Sequence, residues 1–296
     1  MIISASRRTD IPCAYSEWML NRLKAGYVLM RNPMNRTQVG RVSLDRSSVD
    51  GIVFWTKDAG NLAKRLDEVD GMGYQYGFQY TITPYGSELE RFLRPKKEIM
   101  DNFRELADRL GSRKMVWRYD PILLNEKYTE AFHREAFARM CEQLAGYTQR
   151  VIISFADDYA KLKGRGIREL SEGEMERLAF GIGKVARRYG LRIQTCCEGM
   201  DLRAFGIEKG GCLDAEWLEE ICGRPLEWKA DKGQRNGCGC MQSGDIGAYD
   251  TCPNGCLSCY ANRREETAAA NYAAHDLKGE LLTGKIRPED RIYDRK

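Results

Sequence analysis

Short apolar runs and amphipathic stretches alternate along the first two thirds of the chain. Ile2 to Ala5 is an apolar run that predicts a strand, closed by the polar cluster Ser6-Arg7-Arg8-Thr9-Asp10. Tyr15 to Lys24 predicts a helix, with Ser16 as N-cap and Gly26 past its end. Tyr27 to Met30 predicts a strand, and Gln38 to Leu44 a short hairpin arm. Gly51 to Trp55 reads as a buried strand ending Thr56-Lys57-Asp58, followed by a helix over Asn61 to Val69. Tyr76 to Ile82 is the next strand, ending Thr83-Pro84. The helix over Pro95 to Leu110 sets Ile99, Phe103, Leu106 and Leu110 on one face, and Gly111 stops it. Met115 to Trp117 opens a strand that ends Arg118-Tyr119-Asp120-Pro121, and a helix follows over Thr129 to Ala145. Val151 to Phe155 is a strand running out into Ala156-Asp157-Asp158. Ser171 and Glu174 have the spacing of a capping box for a helix carrying Met175, Leu178, Ile182 and Ala186. Leu191 to Thr195 is the last clear strand, and it leads into Cys196-Cys197-Glu198.

Strands separated by helices predict an α/β fold with a mainly parallel sheet. The first expectation is a full or partial (β/α) barrel, the second an open doubly wound sheet. Both place a site at the carboxyl ends of the strands. Arg7, Lys57, Thr83, Arg118, Asp120 and Asp157 fall at such ends. Beyond residue 199 the rhythm stops. The expected organisation is therefore a barrel-like domain over 1–199 and a cysteine-rich cap and tail over 200–296, packed on the barrel.

Composition changes this picture little. Of 296 residues, 43% are hydrophobic and 30% charged, as in a soluble globular protein. Lys plus Arg number 47 and Asp plus Glu 43, and a net charge of +4 does not by itself predict nucleic-acid binding. No stretch approaches the roughly 18 apolar residues of a membrane span. The N-terminal run is too short for a signal peptide, so a cytoplasmic location and no membrane partner are expected.

The cysteines change it a great deal. The chain has 11 cysteines and only 2 histidines. In the cytoplasm such cysteines serve metals or catalysis more often than disulfides. Cys252, Cys256 and Cys259 are spaced Cys-x3-Cys-x2-Cys, which lets a looped backbone wrap one face of an iron–sulfur cube. Pro253 and Gly255 suit so tight a wrap. A plain zinc knuckle closed by Cys238 or Cys240 is the alternative. Cys196, Cys212, Cys238 and Cys240 form a second candidate set, for a second [4Fe–4S] cluster, for zinc, or for no metal. Cys13, Cys141, Cys197 and Cys222 read as packing residues.

The stretch Cys252-Pro-Asn-Gly-Cys256-Leu-Ser-Cys259-Tyr260-Ala261 resembles the cluster loop of radical S-adenosylmethionine enzymes, and among them the spore photoproduct lyase-like branch. Over its length the chain resembles a bacterial domain-of-unknown-function family, DUF1848. The matching stretches are Ile3 to Pro12, Phe54 to Lys57, Arg118 to Pro121, Cys238 to Cys240, Asp245 to Gly247 and Cys252 to Asn262. The radical-enzyme resemblance implies a [4Fe–4S] cluster on Cys252, Cys256 and Cys259, with its fourth iron open to S-adenosylmethionine. It implies backbone contacts from Tyr260 to the adenine. Lys57 or Arg118 then suits the carboxylate of that cofactor, and Thr83 its ribose. Arg7, Lys57, Arg118 and Asp120 are the candidate catalytic residues. In radical enzymes the cluster loop follows the first strand and a Gly-Gly-Glu stretch binds the methionine end. Here the loop stands near the C-terminus and that stretch is missing, an order that a circular permutation of the barrel would explain.

Three functions follow. One is an enzyme that generates a 5′-deoxyadenosyl radical on an unknown substrate, with a flavodoxin or ferredoxin as electron donor. Another is a non-catalytic iron–sulfur or zinc protein, for electron transfer or structure. The third is an enzyme acting on nucleic acid, suggested by the pairs Arg7-Arg8, Arg187-Arg188 and Arg263-Arg264. No Ser-His-Asp arrangement, Walker loop or His-Glu-x-x-His helix is evident.

Overall fold

The computed structural model describes residues 1–156, 167–235 and 237–295. In chain order the elements are β1 (Ile2–Ala5), α1 (Ile11–Ala14), α2 (Ser16–Ala25), β2 (Tyr27–Arg31), β3 (Gln38–Ser43), β4 (Gly51–Thr56), α3 (Gly60–Ala63), α4 (Leu66–Gly71) and β5 (Tyr76–Thr81). Then come α5 (Lys96–Leu110), β6 (Met115–Ile122), α6 (Glu130–Leu144), β7 (Arg150–Phe155), α7 (Glu172–Arg188) and β8 (Arg192–Cys196). The chain ends through β9 (Glu208–Gly210), α8 (Ala215–Cys222), β10 (Gly244–Asp245), α9 (Glu265–Ala273) and β11 (Arg291–Arg295). Asp157 lies outside the described residues.

The chain divides into two compact units, neither of them a continuous segment. One holds Met1–Gly77, Ser243–Gly255 and Ala261–Lys296, the other Phe78–Gln242 and Cys256–Tyr260. The boundary at residue 200 expected from the sequence follows the end of the strand–helix rhythm. The units follow contacts instead, and each draws residues from both sides of that boundary.

In the first unit β1 runs parallel between β10 and β4, with Ile3 opposite Gly244 and Ile2 to Ala5 opposite Gly51 to Phe54. All four residues of β1 are buried, the polar Ser4 among them, as in a parallel strand covered on both faces. The same unit holds a three-stranded sheet in the order β11-β3-β2. The sequence reading places Tyr27 to Met30 among the strands of the parallel sheet. Instead β2 pairs antiparallel with β3, Tyr27 opposite Ser43 and Arg31 opposite Val39. The intervening residues 32–37 suffice for a hairpin, whereas a parallel return needs a crossover of a dozen or more. The polar tail supplies β11, parallel to β3 from Arg291 opposite Gln38 to Arg295 opposite Val42. Arg31 fixes this end through a two-oxygen ion pair to Asp290, at 2.5 and 2.7 Å.

In the second unit β6, β7, β8 and β9 follow β5 in parallel, Phe78 opposite Met115, Trp117 opposite Val151, Ile152 opposite Gln194, and Cys196 opposite Gly210. Helices connect the first four of these strands. The apolar face of α5 buries Ile99, Phe103 and Leu106, and Gly111, at φ 88°, ends it. Thr129 caps α6 by accepting from the Phe132 amide, and Ser171 with Glu174 closes the expected capping box on α7. The core of this unit is aromatic: Trp117 stacks on Phe137 with ring centroids 5.0 Å apart.

The fold is thus α/β with eight parallel strands, β10, β1 and β4 in one unit and β5 to β9 for nearly all their length in the other. Neither array closes on itself, so the barrel expectation reduces to an open parallel arrangement. The two shortest strands, β9 and β10, carry too little apolar pattern to be read from the sequence.

Candidate metal centre

Four cysteines from separate stretches meet in the second unit. Cys196 is the last residue of β8, and Cys197 directly after it takes φ 63° and breaks the strand. The sulfurs of Cys196, Cys238 and Cys240 all lie within 4.8 Å of one another, and the first and last are 3.9 Å apart. Cys212 stands just outside this group of three, with its thiol beside those of Cys196 and Cys240. Cys212 and Cys240 are buried, while Cys196 and Cys238 are half-buried.

The backbone is built for this meeting. Gly211 packs so closely on the Cys238-Gly-Cys240 loop that a Cβ there would stand 2.5 Å from the Gly239 oxygen and 3.0 Å from the Cys240 nitrogen. Only glycine permits that approach. Two glutamines on the strands hold the 211–212 segment in place. Gln79 of β5 donates to the Cys212 carbonyl at 2.6 Å, and Gln194 of β8 donates to the Gly211 carbonyl at 2.9 Å. Both side chains are buried and would be costly there without partners. Neither glutamine was singled out from the sequence. The available signal was a lone polar residue interrupting each apolar strand.

Arg118 completes the surroundings. Its guanidinium donates to the Cys212 sulfur at 2.8 Å and to the Gln79 carbonyl oxygen at 3.3 Å, and pairs with Asp120. Asp120 also accepts from Ser154. Burial opposes the charge on Arg118, but the Asp120 carboxylate and the Cys212 sulfur opposite it raise its pKa. The cysteines perturb one another in turn. Contact with Cys196 holds the Cys238 thiol down to about 6, and its three sulfur neighbours push Cys196 strongly up. A soft all-sulfur donor set with a buried cation aimed at one sulfur fits a thiolate-bound metal. The group can therefore hold a metal ion or cluster.

The other candidate residues are placed as follows. In the first unit, the loop carrying Cys252 is fastened at the carboxyl ends of β1 and β4. Asp10, just past β1, is its anchor: it accepts from the Thr56 hydroxyl at 2.7 Å, the Lys57 amide at 2.8 Å and the Asn254 side chain at 3.1 Å. Burial raises the Asp10 carboxyl to about 6. Tyr15 donates to the Thr251 carbonyl at 2.5 Å and Asn262 to the Cys252 carbonyl at 2.6 Å. Asp245 of β10 accepts from the Ser6 hydroxyl and the Arg7 amide, and the Arg7 guanidinium lies 5.1 Å from the Trp55 ring. In the second unit, Cys256 bridges to Glu90, and the Leu257 amide donates to the Leu89 carbonyl at 2.8 Å. Glu90 is also the partner of Thr83, whose hydroxyl donates to it at 2.7 Å. Cys252, Cys256 and Cys259 are each half-buried, and Tyr260 is exposed. Of the four expected packing cysteines, Cys141 is fully buried and its thiol is pushed up to about 12 by burial. Cys13, Cys197 and Cys222 are only half-buried, because each stands at the end of a helix or strand rather than on its inner face.

Residues 2–261 match the model of the family described as Domain of unknown function (DUF1848), and the chain belongs to that family. The match takes in every cysteine of both candidate sets. No curated protein and no solved structure matches the chain.

Proposed function

We propose that this chain is an iron–sulfur protein whose Cys252-x3-Cys256-x2-Cys259 loop carries a cluster used on S-adenosylmethionine. The observation that carries the reading is the attachment of the Cys252 loop, through Asn254 and Asp10, at the carboxyl ends of parallel strands. That is where open α/β sheets keep their sites. When bound, a reduced cluster with one open iron supplies an electron that splits the sulfonium of S-adenosylmethionine into methionine and a 5′-deoxyadenosyl radical.

The chain's own residues hold and orient. Asp10 draws the ends of β1 and β4 and the Cys252 loop onto one carboxylate, so the loop is positioned before any ligand arrives. Lys57, whose amide is part of that knot, supplies a cation at the end of β4 for the carboxylate of the methionine moiety. Trp55 carries the Arg7 guanidinium over its ring and so helps orient that cation at the end of β1. The substrate class is open, and nucleic acid is one candidate. A flavodoxin- or ferredoxin-like donor would deliver the electron.

The test is to reduce anaerobically reconstituted protein with dithionite, add S-adenosylmethionine and measure 5′-deoxyadenosine. Wild type forms it slowly without substrate, and Cys256→Ala does not. Wild type with a full, reducible cluster that forms none overturns the reading and leaves electron transfer in its place.

A further inference from the structure

The sulfur spacing in the cysteine group of the second unit decides which kind of metal it suits. Thiolates around one tetrahedral zinc-type ion, with metal–sulfur bonds of about 2.3 Å, stand about 3.8 Å apart. Thiolates on a [4Fe–4S] cube each sit on a different iron, so their sulfurs stand much farther apart. Cys196 and Cys240 are 3.9 Å apart, and Cys238 lies within 4.8 Å of both. Three sulfurs that close to one another enclose room for one ion and none for a cube.

We infer that Cys196, Cys212, Cys238 and Cys240 bind a single tetrahedral zinc-type ion, separate from the cluster carried by the Cys252 loop. The inference refines the metal-protein reading above by assigning the metal of this second group. Three features of the chain support it. The ligands come from the end of β8, from the segment after β9 and from one tight loop. An ion there ties together three stretches distant in sequence, which is the work of a structural site. The Gly211–Gly239 approach brings the Cys212 and Cys240 segments into backbone contact. Four thiolates on a divalent ion leave a net charge of about −2. Arg118, donating to the Cys212 sulfur from a buried position, offsets part of that charge and fixes that ligand's orientation. Cys196, Cys238 and Cys240 already stand at the spacing of one ion, and Cys212, beside two of them, is the fourth ligand that would close the site to substrate.

The experiment counts zinc, iron and sulfide per chain in anaerobically purified full-length protein, as wild type, Cys238→Ser, Cys212→Ser and Cys256→Ala. The expected result is about one zinc per chain in wild type. That zinc falls at least several-fold in Cys238→Ser and Cys212→Ser, while Cys256→Ala keeps it and loses iron and sulfide instead. Where a serine variant is insoluble, wild type is grown with cobalt in place of zinc. The strong visible bands of a tetrahedral cobalt–thiolate centre then support the site, and their absence overturns it. Iron and sulfide lost from Cys238→Ser with no zinc in wild type would overturn it by showing a second cluster. Zinc unchanged in both serine variants would overturn it as well. Zinc found without iron or sulfide would instead refute the cluster reading and leave this one standing.

Discussion

Two alanine substitutions at neighbouring glycines separate the geometry of the four-cysteine centre from generic loop tolerance. At Gly211 an added Cβ meets the Gly239 oxygen at 2.5 Å, the Gly239 carbonyl carbon at 2.6 Å and the Cys240 nitrogen at 3.0 Å, all backbone atoms. At Gly239 the nearest atoms stand at 3.5 Å, an ordinary contact. Neither glycine takes a positive φ, so the difference between them is steric alone. Relief at Gly211 demands that the segment bearing Cys212 move away from the one bearing Cys240. Overpacking of this sort costs about 1–3 kcal/mol, and at 1.4 kcal/mol per decade it weakens metal retention about 5- to 150-fold. The assay follows metal release to a chromophoric chelator along a urea gradient, with circular dichroism on the same samples. Gly211→Ala shifts the release midpoint to lower urea, and Gly239→Ala stays within about 0.5 kcal/mol of wild type. A wild-type-like Gly211→Ala, or a Gly239→Ala equally damaged, would refute the packing of these loops and the centre built on it.

Replacing Arg118 with Met takes from Asp120 and from the Cys212 sulfur the cation they share, and removing one partner of a buried pair costs about 3–5 kcal/mol. Arg118→Lys recovers only part of this, because an ammonium cannot serve Cys212, Gln79 and Asp120 together, and thermal unfolding of the three proteins checks it. Asp10 gives a pH signature of opposite sign to a salt-bridged carboxylate. Its folded pKa of about 6 lies above the ordinary 3.8 of an aspartate, so between those values the native state holds a proton that the unfolded chain has lost. Stability from this group is therefore full below about pH 4, falls by up to about 1.4 kcal/mol per unit toward pH 6, and is flat above. Asp10→Asn removes that slope, as urea denaturation at a series of pH values would show; an unchanged slope would reassign it. Cys141 resists alkylation in the native protein, and Cys141→Ala leaves metal content unchanged while lowering stability by about 1 kcal/mol; mass spectrometry and metal analysis read the two.

Strands made mostly of buried apolar residues were legible in the sequence: β1, β4, β5 and β7 appear within a residue of their expected bounds. The tight Cys238-Gly-Cys240 pair and the cysteine ending β8 also pointed to a shared centre. The illegible parts depend on distant partners. Nothing near Gly244-Asp245 signals a strand, because the two residues become one by pairing with Ile3 and Ser4, far away along the chain. Tyr27 to Arg31 has the composition of a core strand, and only the hairpin with β3 removes it from the parallel array. Arg118 carried the right chemistry for a carboxylate partner, but the Cys212 sulfur it meets lies 94 positions later. Gln79, Gln194 and Gly211 acquire their roles from the same long-range meeting.

The proposed function requires a cluster with an iron open to S-adenosylmethionine on the Cys252-Cys256-Cys259 loop. Electron paramagnetic resonance of the dithionite-reduced protein, recorded before and after adding S-adenosylmethionine, tests it most directly. The expected result is a cluster signal that changes on addition and is missing from Cys256→Ala. A full cluster signal that stays identical with excess S-adenosylmethionine would contradict it.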